Sequence, residues 1–212
     1  MPATKTQGTQ VKVETAAAAT KAITGLTAAS PPVVTATAHG YSAGDIVRLA
    51  NIGGMVQLNN RVFVVANPVT NTFELKGVDG TGYTPYTSGG DSFKLTMTAL
   101  GLCSGIPSMF DGAADDIDVT HLLSVAKEKL QGLPDPGGIS LELVLDNTDT
   151  GQAAIRTMNE AQAAKGFSFT DPNAKVACCN AFAKNFKITA PQNEAWRASV
   201  DLLMQAQRTY FA

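Results

Sequence analysis

Histidine is almost missing from this chain: His39 and His121 are the only two among 212 residues. They fall in stretches of different composition, which argues against a metal centre built on two or three imidazoles. Cysteine is nearly as scarce. Cys103, Cys178 and Cys179 make an odd number, two of them adjacent, and no C-x-x-C spacing occurs. That argues against a disulfide framework or a structural zinc site, and for reduced thiols in a cytosolic setting. On a strand, the adjacent pair would point to opposite faces. Charge is low, at 16% of residues with a formal net of −2, and no basic run exceeds the K-E-K at 127–129. Tight duplex binding needs a concentrated basic face, because phosphate neutralisation supplies most of its affinity. The opening M-P-A-T-K-T-Q-G-T-Q lacks the apolar core of a signal peptide. No apolar run approaches the roughly 20 residues needed to cross a bilayer as a helix. These absences lead to the expectation of cytoplasmic synthesis without membrane insertion.

What is present is enough apolar material for a packed core, at 44% of residues. Composition shifts at about Ile23 and again near Gly90. Between them, short β-prone runs (V-V-T-A-T-A, D-I-V-R-L, R-V-F-V-V, T-F-E-L) alternate with H-G, G-G, N-N and D-G turns, the pattern of a small all-β module. Outside it, I-S-L-E-L-V-L at 139–145 alternates strictly. After D-N-T-D-T-G, Ile155, Met158 and Gln162 fall at helical spacing, with Asp149 or Thr150 as cap and Gly166 as stop. Near the end, Trp196, Ala198, Val200, Leu202 and Met204 read as one strand face, with Arg197, Ser199, Asp201 and Gln205 opposite. The expected class is mainly β, sandwich- or barrel-like with one flanking helix. Residues 1–22 and 91–212 form the main domain and 23–90 an inserted small β domain. The stretches A-A-A-A-T-K and S-G-G-D would serve as flexible linkers, making the insert dispensable.

The chemically richest stretch is D-D-I-D-V-T-H-L at 115–122. As a strand it sets Asp116, Asp118 and Thr120 on one face and Ile117, Val119 and His121 on the other. Two carboxylates fall short of the six or more oxygens of a hard-cation site, so an edge-strand, self-association role fits better. His39-Gly40 and Gly44-Asp45 read as turns rather than a dyad. Ser104 falls in a Gly/Pro loop, outside any G-x-S-x-G elbow, and G-V-D-G-T-G at 77–82 lacks the Lys-Ser/Thr pair of a phosphate loop. No catalytic residue, metal ligand or cofactor site is assigned, and the chain is read as non-enzymatic. The stretch 119–138 stays open between a short amphipathic helix packed on its own domain and a long loop docking on a neighbouring copy.

Two resemblances add to this reading. The insert, through I-T-G-L-T-A-A-S-P-P-V-V-T-A-T-A-H-G-Y-S-A-G-D-I-V, G-G-M-V-Q-L-N-N-R-V-F-V-V, N-T-F-E-L and Y-T-P-Y-T-S-G-G, resembles the β-barrel type named after the first catalytic cysteine half-domain of ubiquitin-activating enzymes. It implies no ubiquitin chemistry, since no adenylation motif or catalytic cysteine lies within it. The remainder, through G-T-Q-V-K-V-E at 8–14, D-G-A-A-D-D-I-D-V-T-H-L at 111–122, A-K-E-K-L-Q-G-L-P-D-P-G at 126–137, I-S-L-E-L-V-L-D and T-G-Q-A-A-I, resembles the tail tube proteins of long, flexible-tailed bacteriophages. It departs from them in the early insertion and over 95–107.

The second resemblance implies hexameric rings stacked into a hollow tail tube of the virion, a conduit for passing double-stranded DNA. Other copies of the chain, a tape measure protein, a tail terminator and tail-tip proteins would be its partners. A loop over 120–138 would contact the next ring, through Thr120, Leu123, Lys127, Glu128, Lys129, Leu130, Leu133 and Asp135, and residues 1–10 would form an N-terminal arm. Strand alternation makes Ser140, Glu142, Arg197, Ser199 and Asp201 candidates for the channel lining. The competing readings are a single-ring tail component (terminator or hub) and a host-surface-binding decoration protein.

Overall fold

The computed structural model describes residues 7–209, so residues 1–6 of the expected N-terminal arm lie outside the described residues. The fold is mainly β with one helix. The chain runs through β1 (Gln10–Ala17), β2 (Lys21–Ala22), β3 (Gly25–Leu26), β4 (Val33–Thr35), β5 (Ile46–Gly53), β6 (Arg61–Ala66), β7 (Thr72–Leu75) and β8 (Ser88–Ala99). It continues through β9 (Cys103–Met109), β10 (Ala114–Asp118), β11 (Lys129–Pro134), β12 (Gly138–Val144), α1 (Thr150–Ala161), β13 (Lys165–Thr170), β14 (Val176–Thr189) and β15 (Arg197–Met204). Every pairing is antiparallel.

Six strand positions close on themselves into a barrel. β8 pairs with β2, whose chain runs on into β3; β3 pairs with β4, β4 with β7, β7 with β6, β6 with β5, and β5 with β8 again. Closure removes the sheet edges that a short-stranded module would otherwise expose. The interior is filled by Val34, Leu49, Phe63, Val65, Phe73 and Leu75, all buried. His39 belongs to this core: its Nδ1 accepts from the Tyr41 backbone N–H at 2.9 Å, and its ring packs on Tyr41 and Phe73. His39 and Gly40 lie in the connection from β4 to β5, between turns at 37–38 and 43–44.

The second body is an antiparallel sheet in the order β8-β1-β13-β14-β15-β12-β9. Its apolar face carries Val11, Val13, Phe167, Phe169, Ala198, Val200, Leu202, Ile139, Leu141 and Leu143, and α1 covers it with Ile155 and Met158. Asp149 caps the helix by accepting from Gln152 N–H at 2.7 Å. Two expectations are corrected. The helix ends at Gln162, which adopts a left-handed conformation as C-cap, and not at Gly166. Gly166 stands in β13, where a Cβ would lie 2.7 Å from Leu95 Cδ1, so its value is close approach. Trp196 precedes β15 and is largely exposed, so it is no part of the core face.

The expected linkers are not free: S-G-G-D lies within β8, and of A-A-A-A-T-K only residues 18–20 fall between β1 and β2. Residues 88–94 of β8 pair with β5 and 95–99 with β1, so one strand serves both bodies. On the other side, Ala18 N–H donates to Lys94 O at 2.8 Å. A third cluster of Val62, Val64, Leu95 and Cys178 joins barrel and sheet. Strand β6 is therefore buried on both faces, the physical reason for its continuous V-F-V-V. Beside the seam, Glu14 of β1 accepts from Arg48 of β5 at 2.8 Å and from Gly166 N–H at 2.7 Å. A partly buried pair of this kind adds little net stability.

Candidate assembly surfaces

β10 and β11 pair only with each other, outside the main sheet. They form an arm rooted by Asp111, which accepts from Gly138 N–H at 2.7 Å, and by Asp135 N–H donating to Ala113 O at 2.8 Å. The Gly138 bond holds the Asp111 carboxyl below its ordinary pKa. At the tip, Asp118 accepts from Thr120 N–H at 2.9 Å and Thr120 Oγ1 accepts from Glu128 N–H at 3.0 Å. Asp118 is likewise lowered by its bonds to Thr120. His121 Nδ1 is spent locally, on Ser124 Oγ at 2.9 Å and on Leu123 N–H at 3.2 Å. Asp116 pairs with Lys129 at 2.5 Å. Within the acidic stretch, Asp118 is thus a turn cap and Asp116 half of a surface ion pair. Among the described residues, no group of three or more His, Cys, Asp or Glu could hold a metal ion.

The stretch 119–138 contains no helix; it is the tip and returning strand of this arm. Thr120, Leu123, Lys127 and Glu128 lie in the connection, Lys129, Leu130 and Leu133 in β11, and Asp135 at the root. Leu122, Leu123, Val125 and Leu133 are each between 90% and 105% exposed, and Leu130, Ile117 and Val119 are partly so. Leu122 and Val125 were not singled out by sequence reasoning. Their signal was an H-L-L-S-V-A run whose apolar residues match neither a helical nor an alternating period.

A second surface is the face of β9, β12, β15 and β14 opposite the core. Register sets Ser140 beside Asp201, Glu142 beside Ser199 and Val144 beside Arg197. On the far side of β15, Asn185, Lys187 and Thr189 of β14 align with Asp201, Ser199 and Arg197. Ser140 Oγ donates to Asp201 Oδ1 at 2.8 Å. Glu142, Arg197, Ser199 and Asp201 are exposed and Ser140 is half-buried, so all five predicted residues share one polar face. Glu142 and Lys187 flank Ser199 from either side, and Lys184 lines one groove with Ser140 and Asp201, so the face carries charges of both signs. Asn185, Lys187 and Thr189 were missed, although the alternation of K-N-F-K-I-T is visible. Ser104 lies in β9 on the margin of this face, not in a loop.

Cys178 and Cys179 point to opposite faces of β14, one into the seam and one into the main core. Burial pushes both thiols up, Cys179 to about 12. All three cysteines are free. Among the described residues, no helix is long and apolar enough to cross a membrane.

Residues 30–93 match the family model of the ubiquitin-activating enzyme E1 FCCH domain. The match begins seven residues inside the expected insert and reaches into β8; it takes in β4 to β7, leaves β2 and β3 outside, and covers less than half of the chain. No curated protein matches the chain.

Proposed function

We propose that this chain is a structural tail tube protein of a long-tailed bacteriophage: homohexameric rings stack into the tube, and the lumen passes double-stranded DNA. The observation that carries the reading is the arm. A two-stranded hairpin alone is marginally stable in water, and this one holds its largest apolar side chains in solvent. Such a surface calls for a partner, and in a stacked assembly the partner is the next ring. Leu123, Leu130 and Leu133 would enter the contact, with Thr120, Lys127, Glu128, Lys129 and Asp135 shaping the turn and its rim.

The polar face of β9, β12, β15 and β14 supports a channel lining. Ser140, Glu142, Arg197, Ser199 and Asp201 give it hydroxyls and charges of both signs, a surface along which DNA would slide without the counterion-release affinity of a basic groove. Edge strand β9 would meet a neighbouring subunit, closing the sheets into a continuous ring. The barrel would lie on the outside. Tape measure, terminator and tail-tip proteins would be the partners, the virion tail the location, and no catalysis is involved.

Sedimentation velocity over a range of concentrations tests this. Growth into large polymers is the expected result. Arrest at a single closed ring would instead indicate a terminator or hub, and a monomer at all concentrations that adheres to cells would indicate a host-surface binder.

A further inference from the structure

The short segment following β15 is held by three parts of the molecule at once. Arg61, the first residue of β6, is buried, and among the described residues it has no ion-pair partner. Its guanidinium donates instead from Nε to Gln207 O at 3.0 Å and from Nη2 to Arg208 O at 3.2 Å. Nη1 stays within the barrel, on Gln57 O and the Tyr83 hydroxyl. Next along the segment, buried Thr209 donates its hydroxyl to Val62 O at 2.8 Å. Its backbone exchanges two bonds with Cys178 of β14, at 2.8 and 3.1 Å. Between them, the Arg208 guanidinium stacks 4.9 Å over the ring of Phe110, just before the root of the arm.

We propose that the barrel carries a peptide-binding site, built on Arg61 and Val62, whose ligand is the chain's own extended segment 207–209. A buried cation must be matched by acceptors, and hydrogen bonds from a charged donor are stronger than neutral ones. Here the rigid fork of the guanidinium reads two successive peptide carbonyls, which any extended backbone would offer. Side-chain preference enters at two positions: a hydroxyl at 209, which alone reaches Val62 O, and a planar cation at 208 for Phe110. The site gives the inserted barrel a role inside the molecule, as the clamp that closes the segment over Cys178. It does not depend on whether copies assemble.

Hydrogen exchange on the full-length chain, below the concentration at which it assembles, tests the site. Arg61→Gln and Thr209→Val should each speed exchange at the Thr209 and Cys178 amides by roughly tenfold or more. Amides of β7 in the barrel and β12 in the sheet should stay protected. Tyr86→Phe, which removes only hydroxyl contacts to Ile23 O and Gly89 O within the barrel, should leave the Thr209 and Cys178 amides unchanged. If Arg61→Gln also unprotects β7, Thr209→Val decides alone. Unchanged protection of Thr209 and Cys178 in Thr209→Val, or in a folded Arg61→Gln, would overturn the proposal.

Discussion

Glu142 and Ser199 sit side by side on a sheet face whose reverse is fully apolar. If that face lines a channel, access to it depends on assembly. Because Cys178 and Cys179 are buried with raised pKa values, only half-buried Cys103 needs replacing before a probe thiol is introduced. Ser199→Cys in a Cys103→Ala background should react with a bulky thiol reagent in the dissociated subunit and resist it after assembly. Equal labelling in both states would place the face outside. The carboxylates of the arm make a second prediction. Asp116 is taken by Lys129 and Asp118 by Thr120, so dialysis against a chelator should leave the melting temperature unchanged. A fall of several degrees reversed by one divalent cation would contradict it. At this scale the sequence was informative wherever chemistry was local: strict alternation placed Ser140, Glu142, Arg197, Ser199 and Asp201 on one face. It was silent where partners are distant in the chain, as with Glu14 and Arg48.

Among the elements, α1 shows what local signals carry and where they stop. Its cap and its apolar residues Ile155 and Met158 were legible, because both are set within a few residues. Its end was misplaced at Gly166, since a glycine chosen for packing against Leu95 looks in sequence like one chosen for a left-handed turn. Asp149 also accepts from Gly101 N–H at 3.2 Å, so it ties the helix start to the β8–β9 connection. Asp149→Ala should therefore cost about 1–2 kcal/mol, read as a lower Tm with the fold retained. No measurable change would show that the cap is replaced by water. The arm was the least legible element. Its apolar side chains face solvent, so neither period of burial marks them, and composition left helix and loop open.

For the whole molecule, the barrel and the larger sheet share β8 and a buried seam, which changes what removing the barrel should do. Deleting 23–90 would leave Leu95 and Cys178 uncovered. Exposing one Leu-sized side chain costs about 1.5–3 kcal/mol, and the pairing of β8 with β5, lost with the barrel, adds to it. A shortened chain should thus melt well below the intact one; equal Tm values would show the barrel to be an independent appendage. The domain limits were read from a composition shift, which detects the barrel's own turns but not a strand that continues through its boundary.

Self-assembly through the arm is the claim on which the functional reading rests, and electron microscopy of two proteins side by side addresses it. Leu130→Asp with Leu133→Asp changes side chains that are exposed in the single subunit, so its stability should move by no more than about 0.5 kcal/mol. At a docked interface, the same change would bury unpaired carboxylates at several kcal/mol. The account predicts long hollow tubes from the parent chain and only subunits or short rings from the double variant. Tubes of normal length from the variant would contradict it.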